Sequence, residues 1–162
     1  MTQPTQQQVK ELFNYQEDGY LTWAVNIRRA RIGNKVGIIH TNGYLRTRVN
    51  GLLQSNHRLI FLWHHGYMPK IVDHIDGNKL NNKIDNLRVA NNTQNQQNAK
   101  INIKSTSGYK NVSLCPQTKK WAVKISVDGL RKTIGRFDDV ELADLVAQEA
   151  RKKYHKEFAR SK

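Results

Sequence analysis

The chain is poor in the residues that staple or brace a small protein. Its 162 residues include a single cysteine, Cys115, and three prolines. No intrachain disulfide can form, and a zinc site built on cysteine pairs has nothing to use. Acidic residues are scarce, 13 against 27 Lys and Arg, so the formal net charge is +14. Apolar residues make up 38%, below the usual globular share. That favours one or two compact units with modest cores over one large enzyme core. The sequence has no apolar run of the roughly 18 residues that would suggest a membrane span. The opening MTQPTQQQ has neither the basic start nor the apolar stretch of a secretory leader. An intracellular protein is expected.

What abounds is positive charge. A pI of about 10.1 points to an anionic partner, nucleic acid before a membrane surface. Residues 1–99 carry 12 basic and 6 acidic groups, net +6, and residues 100–162 carry 15 and 7, net +8. Both halves are basic. Charge selects the partner and not the chemistry, since a coating or architectural protein would share it.

Residues 11–57 show short β-type runs broken by turn signals, Asp18-Gly19, Asn42-Gly43 and Asn50-Gly51. They predict a small antiparallel sheet with strands at Tyr20–Trp23, Val36–Ile39 and Tyr44–Val49. Alternation puts Arg46 and Arg48 on one face, where they are candidate duplex contacts. The Gln-rich first ten residues are expected to fray. Ser55-Asn56 offers a cap for a short helix over His57–His65, closed by Gly66. A strand is expected over 71–75, a polar loop over 76–83, a returning strand near 87–90 and a polar helix over 92–101, capped by Asn91 or Thr93.

The segment 73–87, DHIDGNKLNNKIDNL, carries the chemistry. Hydrolysing a phosphodiester requires a base for water and neutralisation of the charge that builds on phosphorus and on the leaving oxygen. A neutral imidazole meets the first need near pH 7, and one hard divalent ion meets the others. His74 is the candidate base. Asp73, beside it, would leave a regular strand on the opposite face. Asn86 follows His74 by twelve positions, and Asn95 follows Asn86 by nine. Among the other histidines, His57 opens the short helix beside Arg58, where packing or a phosphate contact are both open. His64 and His65 suit a helix C-terminus.

Over roughly 57–98 this pattern resembles the HNH, or ββα-metal, endonucleases. The resemblance implies a divalent ion held between Asp73 and Asn95, and a loop and imidazole organised by Asn86. Asn95 stands where many members carry the last His of the name. It implies one Mg²⁺ or Mn²⁺ per site, no zinc and no small-molecule cofactor.

A second unit is expected from about Lys104, after the Ser105–Gly108 linker. Strand candidates at 109–114, 121–127 and 131–137, with a turn at Asp128-Gly129, lead to an amphipathic helix over 140–156. Residues 108–159 resemble the AP2 DNA-binding domain, through Gly108-Tyr109-Lys110, Trp121-Ala122-Val123, Gly135-Arg136-Phe137, Ala143 and Ala150. Lys110, Lys124, Arg131 and Arg136 are the candidate groove or phosphate contacts. Trp121 has two readings, core packing by alternation and DNA contact by resemblance. Asn111, Ser113 and Ser126 depart from common members, so no base preference carries over.

The sequence thus predicts an α+β protein: a small antiparallel sheet leading into a ββα-metal nuclease domain (1–103), then a three-stranded sheet plus helix, the AP2-like domain (104–162). The activity that the resemblance implies is metal-dependent cleavage of double-stranded DNA, of the homing type found in phage, in a bacterial host's cytoplasm. One site per chain implies a nicking monomer or a DNA-assembled dimer. The alternatives are a non-cleaving DNA-binding regulator with a degenerate site and a nucleic-acid-coating protein.

Overall fold

A computed structural model describes residues 2–99, 101, 105–127 and 129–159. Among the described residues it is an α+β protein of small antiparallel sheets and four α-helices. The chain divides into two compact units, 1–90 and 91–162. The boundary expected at 103/104 and Asp128 of the expected turn lie outside the described residues.

The first unit opens with a helix where fraying was expected. This helix, α1 (Gln6–Leu12), is capped by a reciprocal box in which the Thr5 hydroxyl accepts from the Gln8 N–H and the Gln8 side chain accepts from the Thr5 N–H. Fully buried Val9 anchors it. Strands β1 (Phe13–Gln16) and β2 (Tyr20–Trp23) form a hairpin through Asp18-Gly19. A second sheet has the order β3 (Ile38–Ile39), β4 (Leu45–Val49), β5 (Leu52–Ser55). Helix α2 (Asn56–His65) ends at Gly66, whose φ of 78° lets its N–H reach the Leu62 carbonyl. Its expected cap at Ser55 makes no side-chain bond. Asn56 instead turns inward, and its Nδ2 donates to the Val36 carbonyl at 2.8 Å. Phe13, Leu21, Val49, Leu59, Ile60 and Leu62 meet in one core. On this base sits a hairpin of β6 (Val72–His74) and β7 (Leu87–Val89), with Asp73 opposite Arg88 and His74 opposite Leu87.

The second unit begins with α3 (Asn92–Asn98), capped by an Asn91–Gln94 box. A sheet of order β10-β9-β8 follows, from β8 (Val112–Leu114), β9 (Trp121–Val127) and β10 (Leu130–Phe137). Asp139 caps α4 (Val140–His155). Val112, Val123, Ala143 and Ala147 form the core between sheet and helix.

Candidate active site

The β6–β7 hairpin presents Asp73 and His74 where strand pairing ends. The Gly77 N–H donates to the His74 carbonyl at 2.8 Å, so the chain turns at once into the Asn-rich loop. Both side chains are buried, 6% exposed for Asp73 and 3% for His74.

A buried carboxylate needs a partner. Asp73 Oδ2 accepts from Arg88 Nε at 3.0 Å and lies 3.0 Å from Arg88 Nη2. The cross-strand register makes this contact, since Arg88 stands directly opposite. Sequence reasoning missed Arg88, although the returning strand could have revealed it by counting back from the loop.

His74 Nε2 lies 2.8 Å from Asn82 Oδ1. A carboxamide oxygen only accepts, so this contact favours the tautomer with the proton on Nε2 and Nδ1 as the basic nitrogen. The orienting contact expected from Asn86 thus belongs to Asn82, which is 1% exposed. Asn86 organises the loop. Its Nδ2 donates to Asp76 Oδ1 (2.9 Å) and to the Asn81 carbonyl (2.7 Å), while its Oδ1 accepts from the Asp76 N–H (3.0 Å). Asn81 and Asn78 also donate to Asp76. The loop therefore folds around one carboxylate.

Two further rings border His74. His57 lies 4.9 Å away between ring centroids and Tyr44 5.9 Å away, and the two contact each other at 5.0 Å. Burial lowers the His57 pKa to about 3, helped by His74, Arg58 and Arg46. Burial also lowers His74 below the ordinary imidazole value, against the opposing pull of Asn82, Asp76 and Asp73. Burial thus favours the neutral form of both rings. The Tyr44 phenol is pushed up by burial and by the Asp73 charge, so the carboxylate is felt on the imidazole side of the hairpin.

The β1–β2 hairpin positions the loop from below. The Tyr15 hydroxyl accepts from the Ile84 N–H at 3.2 Å. Gly19 (φ +86°) presses so closely on the backbone that a Cβ there would lie 2.7 Å from the Asn82 carbonyl carbon.

The remaining expected residues fall as follows. Arg46 Nη2 donates to the Leu53 carbonyl at 3.4 Å, and Arg48 Nη1 to the Gly51 carbonyl at 3.1 Å. Arg46 is also close enough to His57 to bias its charge. Asn95 lies on α3 in the second unit. There the outer sheet face carries exposed Lys124, Arg131 and Arg136, with Thr133 paired to Lys124, Arg131 to Ser126 and Arg136 to Ala122. Trp121 is half-buried against the helix-side core, and that favours its packing reading. The Lys110 ammonium donates to the Gln97 and Ala99 carbonyls at 2.6 and 2.7 Å, tying down the end of α3 rather than presenting a charge on the outer face.

If Nδ1 of His74 is the working base, Asn82→Asp supplies an anionic partner to Nε2–H and raises the imidazole pKa. The acid limb of the cleavage profile should then move to higher pH. A pH–rate profile with an unmoved limb would reject Asn82 as the positioning residue.

The HNH endonuclease family model matches residues 55–97, the span that holds α2, the Asp73-His74 hairpin and all but the last residue of α3. Protein 3.8 of Escherichia phage T7 is 31% identical over 120 residues, covering 72% of this chain and 98% of the relative. No solved structure matches the chain. The buried Asp-His strand end, its Asn-built loop and these two likenesses together place the chain in the family of phage T7 protein 3.8, with an HNH endonuclease domain at residues 55–97.

Proposed function

We propose that this chain is a divalent-metal-dependent DNA endonuclease, of the homing type, with His74 as its general base. The observation that carries the reading is the His74–Asn82 contact. With the carboxamide oxygen toward the ring, it supports Nδ1 as the basic atom, at the end of the strand that also supplies a carboxylate. In the reaction Nδ1 takes a proton from water, the hydroxide attacks phosphorus, and the bond to the 3′ oxygen breaks as solvent water protonates that oxygen. The products carry a 5′-phosphate and a 3′-hydroxyl. Arg46 and Arg48 are assigned to the phosphates flanking the cut.

The donor chemistry suits a hard ion. Asp73 offers a carboxylate and Asn95 a carboxamide, both oxygen ligands of the kind Mg²⁺ or Mn²⁺ prefers. No group of three His, Cys, Asp or Glu side chains placed to hold a metal occurs among the described residues, so water and phosphate oxygens would complete the shell. When bound, such an ion neutralises charge on the phosphate and the leaving oxygen.

The proposed division of labour gives cutting to residues 1–103. Residues 104–162, as an AP2-like unit, hold duplex DNA through Lys124, Arg131 and Arg136. Target, strand number and oligomeric state follow from the DNA complex, a nicking monomer or a DNA-assembled dimer in the host cytoplasm.

A second reading, a non-cleaving DNA-binding protein, draws support from Arg88. Its guanidinium already sits on the carboxylate that an ion would use. Supercoiled plasmid separates the two. Mg²⁺ or Mn²⁺ should produce nicked or linear DNA, and EDTA should abolish cutting while circular dichroism stays unchanged. Plasmid left intact at every metal tested selects the second reading, and unfolding in EDTA would make the metal structural.

A further inference from the structure

Between Asp18 and Asp73 there is no acidic residue, and eight Lys and Arg lie in that interval. Its most exposed part is the loop linking β2 to β3. Ile27 and Ala30 exchange both backbone hydrogen bonds, at 3.2 and 2.8 Å, and leave Arg28-Arg29 as a two-residue turn. Arg31 braces the turn, since its Nη1 donates to the Arg28 and Ala30 carbonyls at 2.8 and 3.3 Å. The Asn26 side chain accepts from the Ile32 N–H at 3.1 Å. The loop is a built projection with two exposed guanidinium groups at its tip.

Two features of this projection point outward. Arg28 has φ 51°, a left-handed conformation at a turn position that favours Gly. Holding a non-Gly residue there is unfavourable, a cost that a working side chain at the tip would offset. The arm is also flanked by apolar surface. Ile32 is 60% exposed, and Ile38 and Ile39 on β3 are 72% and 63% exposed. Strand β3 leads to the His40–Tyr44 turn, and Tyr44 lies against His57 and His74. The arm and β3 thus belong to the stretch of chain that leads to the edge of the candidate active site.

We infer that the Ile27–Ile32 arm is a second duplex-docking element of the nuclease unit, with Arg28 and Arg29 on the DNA backbone and Ile32 against the groove wall. Charge decides the occupant. A segment with arginines and isoleucines and no carboxylate of its own complements a polyanion whose grooves have apolar walls. The inference rests on the DNA-nuclease reading for its partner and extends it to residues outside the HNH span.

Binding of a short mixed-sequence duplex, measured in EDTA with the full chain, tests it without requiring cleavage. Arg28→Ala/Arg29→Ala should lower affinity at least tenfold at low salt and reduce the slope of log K against log salt by about two. Ile32→Ala should weaken binding and leave the slope unchanged. Arg28→Gly should raise the melting temperature by a few degrees, because the turn relaxes, and still weaken binding. Affinity and slope equal to the parent in the double variant and in Arg28→Gly would overturn the inference. If the parent cuts plasmid and the variants bind normally, this inference fails alone. If the parent never cuts but the variants lose binding as described, the nuclease reading fails alone.

Discussion

Replacing His74 by alanine should lower the cleavage rate by about 10²–10⁴-fold, the range set by removal of a positioned general base, and leave duplex binding intact. The ring is buried and bonded through Nε2, so the variant also opens a cavity beside His57 and Tyr44. Stability should therefore be recorded alongside activity, and rates compared well below the melting temperature. Near-parental cleavage by a folded His74→Ala protein would remove His74 from the mechanism. The sign of the pH dependence follows from the environment. A free imidazole protonates near pH 6.5, whereas burial holds His74 lower. Cleavage should persist below pH 6.5 and fail only as the pH falls through the depressed pKa. A limb at or above 6.5 would contradict a buried neutral base.

Gly19→Ala should be damaging although Gly19 touches neither the Asp73 carboxylate nor the His74 ring. Its φ of +86° disfavours any side chain, and the added methyl would collide with backbone at Asn82 and Lys83. Together these should cost about 3 kcal/mol. The same collision displaces Asn82, the partner of His74. A misplacement of about 1 Å at a catalytic group can cost roughly 10²-fold in rate, so cleavage should drop even at temperatures where the variant is folded. Gly33→Ala is the matched control. Gly33 has a similar φ, +84°, but open space around it. It should lose about 1 kcal/mol and keep its cleavage rate. Equal effects at the two positions, read by thermal melts and plasmid assays, would remove Gly19 from the support of the site.

Much of this arrangement was legible because local chemistry announces it. Gly66, Asn91 and Asp139 end or begin helices where their backbone and side-chain preferences require. Asn42-Gly43 and Asn50-Gly51 mark turns between strands of period two. Helix α1 was missed because its face offers almost no apolar periodicity, with only Val9 fully buried, yet the Thr5–Gln8 spacing is a capping box and could have revealed it. The site divides in the same manner. Asp73 and His74 stand out by type and spacing. Asn82 does not, because Asn78, Asn81, Asn82 and Asn86 are locally equivalent, and only the approach of the β1–β2 hairpin decides which one reaches the imidazole. Arg88 pairs with Asp73 through strand register, which becomes visible once both strands are placed. His57 is set against His74 by the packing of α2, a contact that no nearby residue encodes.

The hairpin contact also bears on how such a domain can be moved between proteins. Residues 55–97 are not a portable cassette, because Tyr15, Gly19 and Val36 all lie before them and each touches the segment or its loop. A chimera joined at those limits would leave the Asn82 loop without the surface that shapes it. Exchange between relatives should succeed when the whole stretch from α1 through the proposed ligand Asn95 travels together, and a side chain acquired at position 19 should be tolerated only with a matching change at 82–83.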